Sequence, residues 1–466
     1  MRPSFTRRDD VSRSSAGDEL ERAMALASRL GQTVIARLHL PVHPLDPWAW
    51  WAPLAADPRC GRVTGAWAGP DGETVLLGVG TAAADDAGLS TSCSRRFERW
   101  VDSRPEVPAA LAGFAFSGAT GGWGGFGAGW VVVPKLMVWR RGAEAGCAVA
   151  LAVAPGDARD RLEAQVQEAR AMIAGIATIP EPTSCSRPVE QADPGARAAW
   201  IDLVTRARDE VASGRLAKLV VARRRTFALE KGARWDVRGT AMTLRREDPH
   251  SQVFALASPD DRWWIGASPE LLAAVDGREA RTVALAGTRP RGESAEIDAE
   301  MAAALTASAK DREEHRIVVE AIRARLGRLA KKVEIPTEPR VVRFKRVMHL
   351  ETPIAAQLAE GAGILDVARA LHPTPAVAGA PVDAAMRWLE REEDLERGWY
   401  AGPVGWIDAQ GGGRIAVALR SARLDAEMAH AYAGAGIVAA SVPSDEWDET
   451  EHKLAAIEGA LIGATR

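Results

Sequence analysis

Two rhythms of apolar and polar positions divide the chain. After an amphipathic segment around residues 18 to 30, read as a helix, the first 180 residues carry short apolar runs broken by Gly and Pro: TVIARLHL, RVTGAWAG, TVLLGVG, GFAFSG, GWVVVPKLMVWRR and CAVALAVA. Runs of that length between breakers read as strands, and their close succession predicts an antiparallel sheet. GATGGWGGFGAGW, residues 118 to 130, has no Lys-Ser or Lys-Thr after it and no helix to follow, so it reads as a mobile surface loop and not as a phosphate cradle. SCSRPVEQADPGA reads as a linker, and WIDLVTRARDEVASG as a helix closed by Gly214.

From there strands and helices alternate. The strands are LAKLVVARRRTFA, QVFALAS, RWWIGAS, RTVALAGT, VVRFK, GPVGWID, RIAVALRSARL and AHAYAGAG; the helices fall roughly at 235 to 246, 295 to 307, 310 to 330, 363 to 371, 381 to 391 and 446 to 463. Hairpin-like strand pairs with helices gathered between them predict an α+β protein, large antiparallel β-sheets with helices packed outside. The expected divisions are a disordered tail over 1 to 18, a β-rich half over 19 to 185 and a core over 196 to 466, with the two halves merged into one globule.

Composition narrows the function classes. A formal net charge of -3 over 466 residues gives no basic field for nucleic acid. No run approaches 18 apolar residues, and MRPSFTRRDDVSRSS lacks the apolar core of a signal peptide, so no membrane partner and a cytoplasmic protein are expected; the oligomeric state stays open, with a monomer as the default. Cys60, Cys93, Cys147 and Cys185 are too scattered for a zinc knuckle or a disulfide framework, which fits a reducing compartment.

Chemistry concentrates in the second half. On the final helix Glu446, Glu449 and Lys453 fall within roughly 60° of arc, beside a stripe of Trp447, Leu454, Ile457 and Leu461 that would face a core. The ordinary reading is a solvated helix edge with a Glu449–Lys453 pair. Lys218 shares one face of a strand with Leu216 and Val220, where lysine is seldom buried; it is either an edge lysine that snorkels to water or an amine able to act as a general base. Glu270, in GASPELL, follows a strand end and a proline where a short helix is expected; it is a helix-dipole partner or, facing an apolar pocket, a general acid. Asp311 and Glu314 lie i, i+3 on the helical arc of Val318, Ala321 and Ile322. With Glu446 and Glu449 they make a candidate oxygen-rich Mg²⁺ site, if the two helices meet. Arg420 on IAVALRSARL, with Tyr400 and Tyr432, the chain's two tyrosines, and glycine-loop amides at Gly434 and Gly436 would suit an anionic ligand with more than one carboxylate.

In order, GRLAKLVVAR, SPELL, VALAGTRPRG, KDREEHRIV, MHLETP, LHPTPAVAG, RGWYAGPVGW, VALR, YAGAGIV and EWDETEHKL resemble the chorismate-utilising enzymes, specifically the isochorismate synthases, from about residue 200 to the end. The resemblance implies the chorismate-binding fold and a Mg²⁺ enzyme that moves the hydroxyl of chorismate from C4 to C2 using water. It implies Lys218 as the base that activates water, Glu270 as the acid at the leaving hydroxyl, Glu314 and Glu449 as direct metal ligands, and Asp311 and Glu446 as holders of metal-bound water. Arg420, Tyr400 and Lys453, with Gly434 and Gly436, match positions around the enolpyruvyl carboxylate or the metal. Gly287 and Thr288 match a loop at the ring carboxylate, and His349 and Thr374 the pocket wall. Relatives that use ammonia typically carry Gln where Lys218 stands, and those that expel pyruvate, including salicylate synthases, tend to carry Thr where Ala376 stands. Isochorismate is therefore the expected product, salicylate synthase the alternative and a non-catalytic scaffold the third reading. The downstream use, menaquinone, a catechol siderophore or salicylate, stays open.

Overall fold

The structure is a computed structural model that describes residues 16–40, 46–56, 62–85, 89, 100–102, 104, 107–118, 121–174, 187–344 and 347–463. Cys60, Cys93, Cys185, residues 1–15 of the expected tail and the first residues of the expected linker lie outside that set. Residues 16–18, assigned to the tail, instead open the helix Ala16–Leu30.

Among the described residues the strands form a 13-stranded and a 10-stranded sheet, and the two halves of the sequence share both. Val63–Ala68 pairs antiparallel with Gln252–Ala257 in the larger sheet, and Pro108–Phe114 with Pro403–Asp408 in the smaller. One pairing is parallel, Val34–Leu40 beside Trp100–Asp102. The larger sheet is buried on both faces, which is why its strands read as continuous apolar runs. In Gln252–Ala257, Phe254 and Leu256 enter the core shared with the smaller sheet, where Trp406 and Ile415 lie. Val253 and Ala255 enter a second core, against Leu20, Leu244, Leu454 and Ile457 of the helices outside.

The C-terminal helices fall close to the expected ranges, at Val237–Glu247, Ala295–Ala307, Ala309–Leu326, Ile364–Leu371, Val382–Glu392 and Pro443–Gly463. The strand pattern does not reveal the helix Arg159–Ala174 or the 12-residue strand Val347–Leu358, whose MHLETPIAAQL breaks alternation with a proline.

The mobile loop expected at 118 to 130 is a correction. Gly121–Phe126 forms short helical turns, with Trp123 and Phe126 fully buried. Trp123 packs against Trp264 and Tyr432, with ring centroids 5.1 and 5.7 Å away, and its indole N–H donates to the Glu396 carbonyl at 3.3 Å. Gly398 (φ +51°) makes room for it, since a Cβ there would stand 1.9 Å from the indole ring. Within the run, Gly124, Gly125 and Gly129 allow close approach of other groups, since a Cβ would stand 2.1 Å from Arg262, 2.7 Å from Asp260 and 2.6 Å from Phe114 respectively. Trp123→Ala should cost about 3–5 kcal/mol in denaturant unfolding, as for other large-to-small core changes; a loss below about 1 kcal/mol would return this segment to the surface.

Candidate active site

The site forms where strands change sheets. Trp263–Ser268 belongs to the larger sheet and Leu271–Asp276 to the smaller, and the crossing falls at Pro269–Glu270. Gly413–Val417 and Ser421–Leu424 cross the opposite way at Ala418–Arg420. The crossings run side by side, with the Val417 N–H on the Glu270 carbonyl at 3.1 Å and the Ala267 N–H on the Arg420 carbonyl at 3.2 Å. Two expectations are corrected here. Glu270 stands just before a strand, because LLAAVD is an apolar run taken into the smaller sheet, and no helix follows. RIAVALRSARL is not one strand: it breaks at Arg420, whose φ of +46° is left-handed. Both crossings line one cleft, about 790 Å³ of space counted out to its open mouth.

Lys218 begins the strand Lys218–Ala228 and is 1% exposed, so the snorkelling alternative fails. Its Nζ donates to Glu314 Oε1 at 2.7 Å. Gly434 and Gly436 are not turn residues but lie inside the strand Met428–Ile437, paired with Ala222 and Val220. A Cβ at Gly436 would stand 2.9 Å from both Glu314 Oε1 and Lys218 Cε, and one at Gly434 3.1 Å from the Tyr400 hydroxyl. Glycine is required there because the lysine–glutamate pair and the tyrosine lie flat on the backbone. Burial opposes ionisation of Glu314, yet the Lys218 ammonium keeps its carboxyl below the usual carboxylate range.

Glu270 is 4% exposed. Burial pushes its carboxyl up to about 7, against the pull of Lys218, Lys453 and Thr374. Thr374 stands behind Glu270 and does not line the cleft; its contact is loose, and its buried hydroxyl makes no well-formed hydrogen bond.

The two acidic helices meet. Lys310, on Ala309–Leu326, places its Nζ 3.6 Å from Glu446 Oε1 on Pro443–Gly463. Glu314 and Glu449 line the cleft, while Asp311 and Glu446 stand outside its lining. Asp311 accepts from Arg289 at 3.3 Å and backs Gly287, whose φ of +77° belongs to a bulge between Ala286 and Thr288. Lys453 donates to Glu449 at 2.6 Å and to the Gly434 carbonyl at 2.9 Å. Burial and the neighbouring Glu449 push the Glu446 carboxyl up to about 7. Each of the four carboxylates faces a cation, and among the described residues no three acidic, His or Cys side chains converge as a ready metal cage. The chemistry of the donors fits Mg²⁺ even so: all are hard oxygens, and the mutual repulsion of Glu446 and Glu449 is what a divalent cation relieves.

The remaining wall is cationic and aromatic. Arg420 is paired with Asp248 at 3.0 Å, lies over the Phe344 ring and has His349 Nε2 at 3.4 Å. His349 Nδ1 faces the Thr288 hydroxyl at 3.0 Å; burial and the Arg420 charge lower its pKa well below the usual value, so the ring is neutral at pH 7. Tyr400 and Tyr432 stack with centroids 5.3 Å apart, and Gly287, Thr288 and Ala376 also line the cleft. Arg397 also lines this cleft and escapes sequence reasoning, although it stands at the i, i+4 spacing of an ion pair from its partner Glu393.

The model of the family described as "Chorismate binding enzyme" matches residues 19–462. The chain belongs to the chorismate binding enzymes. It is 29% identical over 481 aligned positions to the isochorismate synthase MenF of Bacillus subtilis, covering 96% of this chain and 98% of that one. It is 44% identical over 265 residues to the salicylate biosynthesis isochorismate synthase of Pseudomonas aeruginosa, an alignment spanning 57% of this chain and 55% of that protein. The solved structure of the menaquinone-specific isochorismate synthase MenF of Escherichia coli superposes with a TM-score of 0.77 at 25% identity, over 96% of this chain and all of that one. Other members differ in activity: an anthranilate synthase component 1 from Saccharolobus solfataricus is 39% identical over 220 residues.

Proposed function

We propose that this chorismate binding enzyme is an isochorismate synthase, converting chorismate to isochorismate by adding water at C2 and releasing the C4 hydroxyl. The observation that carries the reading is a single cleft lined both by a buried lysine at 218 and by a buried glutamate at 270 whose carboxyl is pushed up to about 7. That pairing supplies what a hydroxyl relocation needs: one group to take a proton from water and another to give one to the leaving hydroxyl.

In this reading Lys218, as the free amine, accepts a proton from the water that attacks C2. Glu270 gives its proton to the departing C4 oxygen, which leaves as water. The two ring double bonds shift through C1, C6 and C5, after which Lys218 gives its extra proton to solvent and Glu270 takes one up from it. Arg420 holds the enolpyruvyl carboxylate, with Tyr400 and Lys453 beside it, while Thr288 and the Gly287 backbone receive the ring carboxylate. Glu314 and Glu449, with Asp311 and Glu446 behind them, are the residues that would hold a Mg²⁺ ion, which would supply positive charge to neutralise the ring carboxylate.

Incubation with chorismate and Mg²⁺, without ammonia, should give isochorismate and no pyruvate. Stoichiometric pyruvate with fluorescent salicylate would establish the salicylate synthase alternative, which Ala376 disfavours. Chorismate binding without turnover would establish a scaffold. Glu449→Ala should raise the Mg²⁺ concentration for half-maximal rate by about tenfold or more, since a lost ligand or its support costs that much affinity; an unchanged titration would remove Glu449 from the metal site.

A further inference from the structure

Arg397 closes the floor of the cleft at the point where its two walls part. One wall is the strand that carries Lys218, and the other is the segment 374–380 that carries Thr374 and Ala376. The walls are laced by backbone bonds, from the Ala217 N–H to the Ala380 carbonyl at 2.8 Å and from the Val220 N–H to the Ala378 carbonyl at 3.0 Å. Beyond that last bond they splay, and the carbonyls of Val220 and Val377 face the Arg397 guanidinium instead. Nη2 donates to Val220 at 2.6 Å and Nη1 to Val377 at 2.8 Å.

The guanidinium is itself held. Glu393 receives Nε at 2.6 Å and Nη2 at 2.8 Å, and its Oε2 also accepts the Ala222 N–H at 2.8 Å. The Phe116 ring from the N-terminal half covers the other side, 4.4 Å from the guanidinium carbon to the ring centroid. The Arg397 and Glu393 side chains are 4% and 3% exposed. A fork of fixed planar geometry thus makes four hydrogen bonds, to two backbone carbonyls and to both oxygens of Glu393, and a lysine, with three donors on one nitrogen, cannot supply all four.

We infer that Arg397 is a positioning residue that sets the width of the cleft between the Lys218 wall and the Ala376 wall, with Glu393 fixing its angle. This rests on the isochorismate synthase reading. Lys218 stands two residues before Val220 and Ala376 one residue before Val377, so a change in the spacing of those carbonyls moves the base relative to the wall opposite it. Substrate carboxylates are held at the far side, by Arg420 and Thr288, so the width of the floor governs turnover more than binding.

The test is steady-state kinetics with chorismate and Mg²⁺ for the wild-type chain, Arg397→Lys, Glu393→Gln and the double variant, scoring isochorismate and pyruvate and counting folded protein by near-ultraviolet circular dichroism. Each single variant should lower kcat per folded molecule by about 100-fold, the loss expected when a reacting group moves by about 1 Å, with KM changed less than threefold. The double variant should be no worse than the poorer single one, since both act through one contact. Arg397→Gly should regain at least tenfold in kcat on adding guanidinium at millimolar concentration, a rescue that only folded protein can show. Variants that keep wild-type kcat, that lose chiefly in KM, or that lose only folded protein with no rescue would overturn the inference. A wild-type chain that makes no isochorismate would instead overturn the functional reading on which it rests.

Discussion

Lys218→Ala should lower kcat for isochorismate formation by about 10² to 10⁴-fold, the usual contribution of a positioned acid or base, while KM for chorismate changes little. The residue sits at the start of a strand whose remaining pairs with Met428–Ile437 do not involve its side chain, so the sheet should survive. What changes locally is Glu314. It loses the ammonium that holds its carboxyl down and keeps only the weaker influence of Lys453 and Lys310, so its pKa should rise toward that of a buried acid. The variant should therefore need more Mg²⁺ as well as turning over slowly. Initial rates at saturating chorismate and Mg²⁺ check the first effect, and a Mg²⁺ titration the second. Activity within tenfold of wild type would remove Lys218 from the role of base.

Glu270→Gln should cause a loss of the same order, because the amide has no proton acidic enough to give to a leaving hydroxyl. The pH profile separates this from a binding effect. The acid of the wild-type protein is protonated below its pKa of about 7, so kcat/KM should fall as pH rises through that value. In Glu270→Gln the residual rate should lack that limb. Stability should move too. The folded pKa stands above the ordinary 4.5, so Glu270 favours the folded state fully below about pH 4.5, and that contribution is lost as pH rises through about 7. The variant should unfold with a flatter pH dependence across that window. A wild-type rate that shows no decline above pH 7 would contradict the assignment of Glu270 as acid.

The helices of the C-terminal part were legible because their apolar faces repeat and their ends are marked. Ser294 and Ser308 cap two of them through hydrogen bonds to the third residue on, at Ile297 and Asp311. The site was legible for a different reason: motifs in family order placed residues far apart in sequence on one surface, and the cleft gathers Lys218, Glu270, Glu314 and Glu449 with Arg420 and Lys453. Helix spacing alone put Glu446 beside Glu449 but could not bring Asp311 to them. The Lys310–Glu446 ion pair shows the two helices within reach of each other, while Asp311 stays outside the cleft lining with Arg289 as its partner.

The errors share a cause. GATGGWGGFGAGW reads as loose because glycine is permissive, yet its tryptophan is buried between Trp264 and Tyr432 by contacts made across the whole chain. The strand break at Arg420 is invisible in an apolar run, because it comes from the chain leaving one sheet for the other. Arg397 escaped because its i, i+4 pairing with Glu393 reads as an ordinary ion pair, and its other two partners are backbone carbonyls, which leave no trace in side-chain pattern.

Turnover of chorismate in H₂¹⁸O with Mg²⁺ and no ammonia, followed by mass spectrometry and NMR of the product, bears most directly on a water activated at Lys218 and a hydroxyl released at Glu270. Isochorismate should carry one ¹⁸O, in its C2 hydroxyl, with no pyruvate formed. Unlabelled isochorismate, or label retained only at C4, would contradict the addition of solvent water at C2.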